Sequence, residues 1–206
     1  MQKESRQNFY PFSQTPGDKL GNGLHSDVFS LGNEWVVKRI KPLWRRGNWQ
    51  QRLVNDFKLL EHHLGPFIPT TGVVICSENS ITPPTLLIVQ KRVQGNTLKQ
   101  LSWQEITANT TTVEQLEDLG SRIQKMYEQT RMTPDLHGDI KNILRYFDFK
   151  HSNNLFITQE GQVLWTDIER LGPLWSPNWI GGKIHMALMI KSFDTFLNKL
   201  HRSHKL

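Results

Sequence analysis

Cysteine is almost missing from this chain. Cys76 stands alone among 206 residues, so no disulfide can form within it, and a reducing, cytoplasmic compartment is the expectation. Long apolar runs are missing too: none approaches the ~20 residues of a membrane-spanning helix, and the opening MQKESRQNFYPF carries no secretory apolar core. There is no internal repeat and no low-complexity tract. His62 and His63 are adjacent, but no second ligand cluster has suitable spacing, and neighbouring helical positions point apart. These absences argue against a disulfide scaffold, a helical membrane protein, a repeat array and a structural zinc module.

What is present suffices for a core: 37% of residues are hydrophobic, in a length suited to one compact domain or two small lobes. The formal charge of +6 favours anionic partners, whether nucleotide, phosphorylated glycan, nucleic acid or an anionic membrane face, without choosing among them. It is scattered, apart from Lys41–Arg46 and His201–Lys205. Trp44, Arg45, Arg46 and Trp49 could stack on bases, but a solvated turn before a helix accounts for them as well.

After a loose arm over residues 1–16, short strands are expected at Lys19–Leu24, Asp27–Leu31 and Trp35–Ile40, separated by Gly-Asn turn signals. Trp49–Leu64 reads as a helix with Leu53, Phe57, Leu60 and Leu64 on one face. Leu86–Val93 is a dense apolar strand. From Thr97 the pattern turns helical: Val113, Leu116, Leu119, Ile123 and Met126 follow a Thr111-x-x-Glu114 capping signature. A loop at Gly172–Gly182 precedes a closing amphipathic helix with Ile184, Leu188, Phe193, Leu197 and Leu200.

Between these helices, Asn154 to Asp167 reads as two short strands around a Glu-Gly turn, opened by a carboxamide and closed by a carboxylate. Such a hairpin gathers two oxygen side chains, the ligand type Mg²⁺ takes while keeping several waters. Upstream, Leu20-Gly21-Asn22-Gly23 precedes Val28, and its glycines suit a tight turn near phosphate oxygens. Glu34-Trp-Val-Val-Lys38 places a lysine inside an apolar strand, where it must find an anion or stay poorly solvated. Leu86-Leu-Ile-Val-Gln90-Lys91-Arg-Val93-Gln-Gly95-Asn-Thr-Leu98 ends a strand in a hinge-like break.

In this order the segments resemble the protein-kinase-like superfamily, from about Leu20 to Leu171. The Gly95–Leu98 ending is more like small-molecule kinases of the aminoglycoside phosphotransferase type. The resemblance implies an α+β, two-lobed fold: a small antiparallel β-rich N-lobe over 17–93 and a reduced, mostly helical C-lobe over 94–206. It implies ATP and Mg²⁺. Gly21, Gly23 and Lys38 would position phosphates, and Val28 would pack on adenine. Lys91 and Val93 would offer backbone groups beside Gln90, and Asn154 and Asp167 would hold the metal. Asp56 or Glu61 would pair with Lys38.

The catalytic base is left open among three registers. Thr133-Pro-Asp135-Leu-His-Gly138 matches the run into the kinase catalytic loop and makes Asp135 the base, with an insertion at 139–153 before Asn154. His137-Gly138-Asp139 is similar to the aminoglycoside-type motif and makes Asp139 the base, with Asn142 or Asn154 as metal ligand. Asp148-x₄-Asn153 has the spacing, but a solvated loop carboxylate explains it as well. Beyond Asp167, the usual Asp-Phe-Gly is Asp167-Ile-Glu169, and no Ala-Pro-Glu element follows.

The expected activity is transfer of the ATP γ-phosphoryl group to a hydroxyl of a small molecule, sugar or glycolipid. A minimal Ser/Thr protein kinase and a pseudokinase are the alternatives, and a nucleic-acid-associated kinase rests on charge and size alone.

Overall fold

A computed structural model describes residues 16–22, 26–41, 49–76, 85–137, 145, 148–167 and 180–204. The chain is α+β, with antiparallel sheets and several helices. It divides into two compact units: Met1–Val54 with Pro69–Arg92, and Asn55–Ile68 with Val93–Leu206.

The first unit is built on a five-stranded antiparallel sheet of β1 (Lys19–Asn22), β2 (Ser26–Leu31), β3 (Trp35–Ile40), β4 (Thr71–Cys76) and β5 (Thr85–Lys91). Their order across the sheet is β1-β2-β3-β5-β4. The turn at Gly32, with φ of 61°, needs the conformational freedom of glycine and joins β2 to β3. Because successive side chains alternate between faces, Phe29, Val37 and Val89 lie opposite one another in register. Leu31, Val37 and Val89 are buried there, packed by Phe29, Trp35 and Leu87. β5 buries both faces, with Leu86, Ile88, Val89 and Gln90 all shielded, which is why it reads as an unbroken apolar run.

Strand ends differ from expectation by a residue or two: β2 begins at Ser26 rather than Asp27, and β5 begins at Thr85 rather than Leu86. β1 stops at Asn22, with residues 23–25 outside the described set. β5 runs Thr85–Lys91, and the amides of Lys91 and Arg92 still reach the carbonyls of Thr70 and Glu34 at 2.8 and 2.7 Å, beside the ends of β4 and β3. β4 had no counterpart in the sequence reading, although Thr-Gly-Val-Val-Ile-Cys is a short β-branched run.

Helix α1 spans Trp49–Leu64 as expected and buries Leu53, Phe57, Leu60 and Leu64. The division between units falls within it, after Val54. The second unit holds β6 (Asn96–Thr97), α2 (Trp103–Thr107), α3 (Thr110–Thr130), β7 (Leu155–Ile157), β8 (Val163–Trp165) and α4 (Ile180–His204). The α3 stripe Val113, Leu116, Leu119, Ile123 and Met126 is buried throughout. Its cap is not Thr111. Asn109 accepts from the Thr112 amide at 3.2 Å, and the reciprocal capping box belongs to Ser102 and Glu105 at the start of α2.

Helix α4 begins at Ile180, so Gly181 and Gly182 are helical rather than the end of a loop. Each glycine costs about 1 kcal/mol in a helix interior, which a helix of this length can carry through packing further along. Its buried face is Met189, Phe193, Phe196 and Leu200, whereas Ile184 and Leu188 are exposed at 57% and 43%. The expected stripe therefore fails over the first turns of α4.

Candidate functional site

The β7–β8 hairpin forms as its sequence indicates. Leu155, Phe156 and Ile157 face Trp165, Leu164 and Val163, and Gly161, with φ of 82°, closes the turn. A Cβ there would meet the Asn109 side chain at 2.5 Å, so the turn is tied to the α3 cap and admits only glycine comfortably.

Closure of the hairpin brings its two polar ends together. Asn154 Nδ2 donates to Asp167 Oδ2 at 3.3 Å. The carbonyl of Asn154 accepts from the Thr166 amide at 2.8 Å and from the Thr166 hydroxyl at 3.2 Å, and the Asn154 amide donates to Ser152 Oγ at 3.2 Å. Asp167 is held from behind, where the Trp165 indole N–H donates to its carbonyl at 2.6 Å. One amide and one carboxylate, both partly exposed, form a hard oxygen-donor pair that suits Mg²⁺ completed by waters and phosphate oxygens. With the amide nitrogen turned to the carboxylate the pair is a hydrogen bond; rotating the amide by half a turn presents two oxygens. That second arrangement would need a cation between the oxygens, and these two side chains are the ones that would hold it.

Trp165, which bonds Asp167, belongs to an aromatic cluster. Trp165 and Phe149 are fully buried with ring centroids 6.2 Å apart, and Phe149 meets Phe193 and Phe196 edge-on at 4.6 and 5.1 Å. Phe149 belongs to the 3-10 turn Phe149–His151, inside the expected insertion 139–153. The end of that segment is therefore core of the second unit.

Next to Phe149, Lys150 is only 9% exposed, and its ammonium donates to the carbonyls of Leu98 and Leu101 at 2.7 and 2.6 Å. Burial pushes Lys150 below the ordinary lysine range, while Asp148 and Glu105 pull it upward. Asp148 itself caps this turn, accepting from the Lys150 amide at 3.1 Å and from His151 Nδ1 at 2.8 Å. Nothing in a polar stretch such as Asp-Phe-Lys-His-Ser signals a buried lysine, and the sequence reading missed it.

Asp135 follows α3 and is paired with His137. Asp135 Oδ1 accepts from the His137 amide at 3.1 Å and meets His137 Nδ1, with both side chains 12% exposed. Asp139 and Asn142 lie outside the described residues, as do Gly23, Trp44, Arg45, Arg46 and Glu169.

In the first unit, strand register gathers a second set. Gly21 pairs with Val28, Val28 with Lys38, and Lys38 with Ile88, forming one row across four strands. Residues directly opposite in antiparallel strands share a face, so Val28 and the half-buried Lys38 stand side by side. Gln90 is buried, and its Nε2 donates to Thr71 Oγ1 at 3.1 Å. Lys91 is exposed and Val93 half-buried. Asp56 and Glu61 are both partly buried on α1; five residues of helix set them about 140° apart, so at most one can address a given lysine.

The adjacent histidines do touch, contrary to expectation, with rings 4.8 Å apart and edge-on. Among the described residues no group of three metal-ligating His, Cys, Asp or Glu side chains occurs. No family model matches the chain, and no curated protein matches it. Among the described residues no helix is long and apolar enough to cross a membrane.

Proposed function

We propose that the chain is an ATP-dependent phosphotransferase of two-lobed, protein-kinase-like fold, acting on a hydroxyl of a small molecule, sugar or glycolipid. The observation that carries this reading is the Asn154–Asp167 contact, two oxygen-bearing side chains brought together by the hairpin that the sequence pattern assigned to a metal. The row Gly21–Val28–Lys38 adds an apolar surface and a cation on one face of a sheet, the combination a nucleotide needs.

In this mechanism Lys38 and the backbone around Gly21 hold phosphates, Val28 contacts the base, and backbone groups of Lys91 and Val93 recognise its edge. Asn154 and Asp167 would hold Mg²⁺, which when bound neutralises charge on the phosphates. Asp135 takes or orients the acceptor hydroxyl proton.

A nucleotide-binding module without turnover is the second reading, favoured by the engagement of the Asp135 carboxylate by His137. Thermal shift with ATP, with and without Mg²⁺, tests the nucleotide site. Ligand at 100 times its dissociation constant stabilises a fold by about 2.7 kcal/mol. The expected result is a metal-dependent shift in the wild type that Asp167→Asn abolishes and Lys38→Ala weakens. A folded wild type indifferent to millimolar ATP would sink the proposal.

A further inference from the structure

Gln90 is a buried polar residue in an apolar strand. It is only 2% exposed, and register sets it between Val36 of β3 and Thr71 of β4. It stands two residues beyond Ile88, the partner of Lys38, so Gln90, Lys38 and Val28 share one face of the sheet. Gln90 and Lys38 are diagonal neighbours on that face.

The carboxamide is held one way round. Thr71 Oγ1 lies 2.5 Å from the Pro69 carbonyl oxygen, and two oxygens that close need the hydroxyl proton between them. The hydroxyl thus donates to Pro69 and accepts from Gln90 Nε2 at 3.1 Å. An oxygen in place of that nitrogen would set two acceptors against each other. Because the carboxamide is planar, its oxygen occupies the edge away from Thr71. Nothing among the described residues donates to Oε1, and the atom still reaches open surface. A nearly buried acceptor left in this state favours a ligand that brings a donor.

On the phosphotransferase reading above, we infer that Gln90 selects the base: Oε1 accepts from the amine of a 6-aminopurine and rejects a 6-oxopurine, with Thr71 as the positioning residue. Adenine offers an N–H donor at that edge, and guanine an oxygen. Against Oε1 an oxopurine would face a second acceptor, and both oxygens would lose water without gaining a bond. The carboxamide does not turn over to suit it, because Nε2 is committed to Thr71.

The test compares the affinities of the full chain for Mg·ATP and Mg·ITP by titrated thermal shift. The two nucleotides differ only in the 6-substituent and the N1 proton that comes with it. The wild type should hold Mg·ATP about tenfold or more tighter. Gln90→Met keeps the side chain's length, removes the acceptor and should lower that ratio about fivefold. Thr71→Val frees the carboxamide to turn and should lower the ratio by improving Mg·ITP binding, whereas Thr71→Ser, which keeps the hydroxyl, should preserve it. A purely structural threonine would change the melting temperature and leave the ratio alone. If Gln90→Met does not fold, the two Thr71 variants decide in its place.

Equal affinity for the two nucleotides in the wild type overturns the inference alone, as does an unchanged ratio in folded Gln90→Met or Thr71→Val. Binding of neither nucleotide at millimolar concentration overturns the phosphotransferase reading as well.

Discussion

The two units hold their candidate residues by different means. In the first, strand register does it: Gly21, Val28, Lys38 and Ile88 are neighbours because β1, β2, β3 and β5 pair as they do. The ladder is backbone chemistry, and alternation decides which side chains share a face. In the second unit, side chains hold the backbone. Asn154 and Asp167 flank a hairpin whose strands have three residues each, too short to be stable alone. They are steadied by Trp165, the Phe149 cluster and Lys150. A row set by register tolerates the loss of one side chain, whereas a pair set by anchors does not.

Truncating the anchor should give the largest effect. Phe149→Ala removes a fully buried ring that meets three others, and ~3–5 kcal/mol of stability should be lost. Val37→Ala in the first unit deletes two methyl groups from the sheet cluster and should cost about 2 kcal/mol. Urea denaturation of both variants compares them directly. An equal loss, or a larger one at Val37, would break the contrast between register and anchor.

Lys150→Met comes next. Its two carbonyl partners, Leu98 and Leu101, would lose a charged donor while the stem volume is retained. Hydrogen bonds to a charged group are worth roughly 1.5–3 kcal/mol, partly offset here because a poorly solvated ammonium is removed as well. A loss of about 2 kcal/mol is therefore expected. Hydrogen exchange should show the amide of Leu98, bonded to the Leu155 carbonyl, exchanging faster in the variant. Unchanged exchange there would mean that the β6–β7 contact stands without the lysine.

The same contrast explains what the sequence made legible. Periodicity revealed α1, the α3 core stripe, β2, β3 and the β7–β8 hairpin, because in each of them one repeating face is buried. The meeting of Asn154 with Asp167 was legible because the turn between the strands sets the hairpin's register.

Features set by single side chains at long separation were not legible. Lys150 reaches carbonyls 49 and 52 residues earlier in the chain, and no local pattern encodes such a contact. The α3 cap went to Asn109 over Thr111 because the Asn109 carboxamide bonds a first-turn amide. In α4 the aromatic cluster selected Phe196, and the first turns were left exposed.

The smallest expected effect is that of pH, and it belongs to the second unit. Among the described residues the first unit contains no histidine, whereas the second buries His63 on α1. Burial, with help from the neighbouring charges of His62 and Lys125, pushes the His63 imidazole below its ordinary 6.5. In the unfolded chain the ring binds a proton more readily, so acid favours unfolding. The contribution of neutral His63 is thus fully present above about pH 6.5 and is lost as pH falls through the folded value. The urea midpoint of the wild type should fall between pH 7.5 and pH 5.5. His63→Gln, a neutral side chain at the same place, should flatten that dependence. A pH slope unchanged in His63→Gln would assign the titration to another group and remove this distinction between the units.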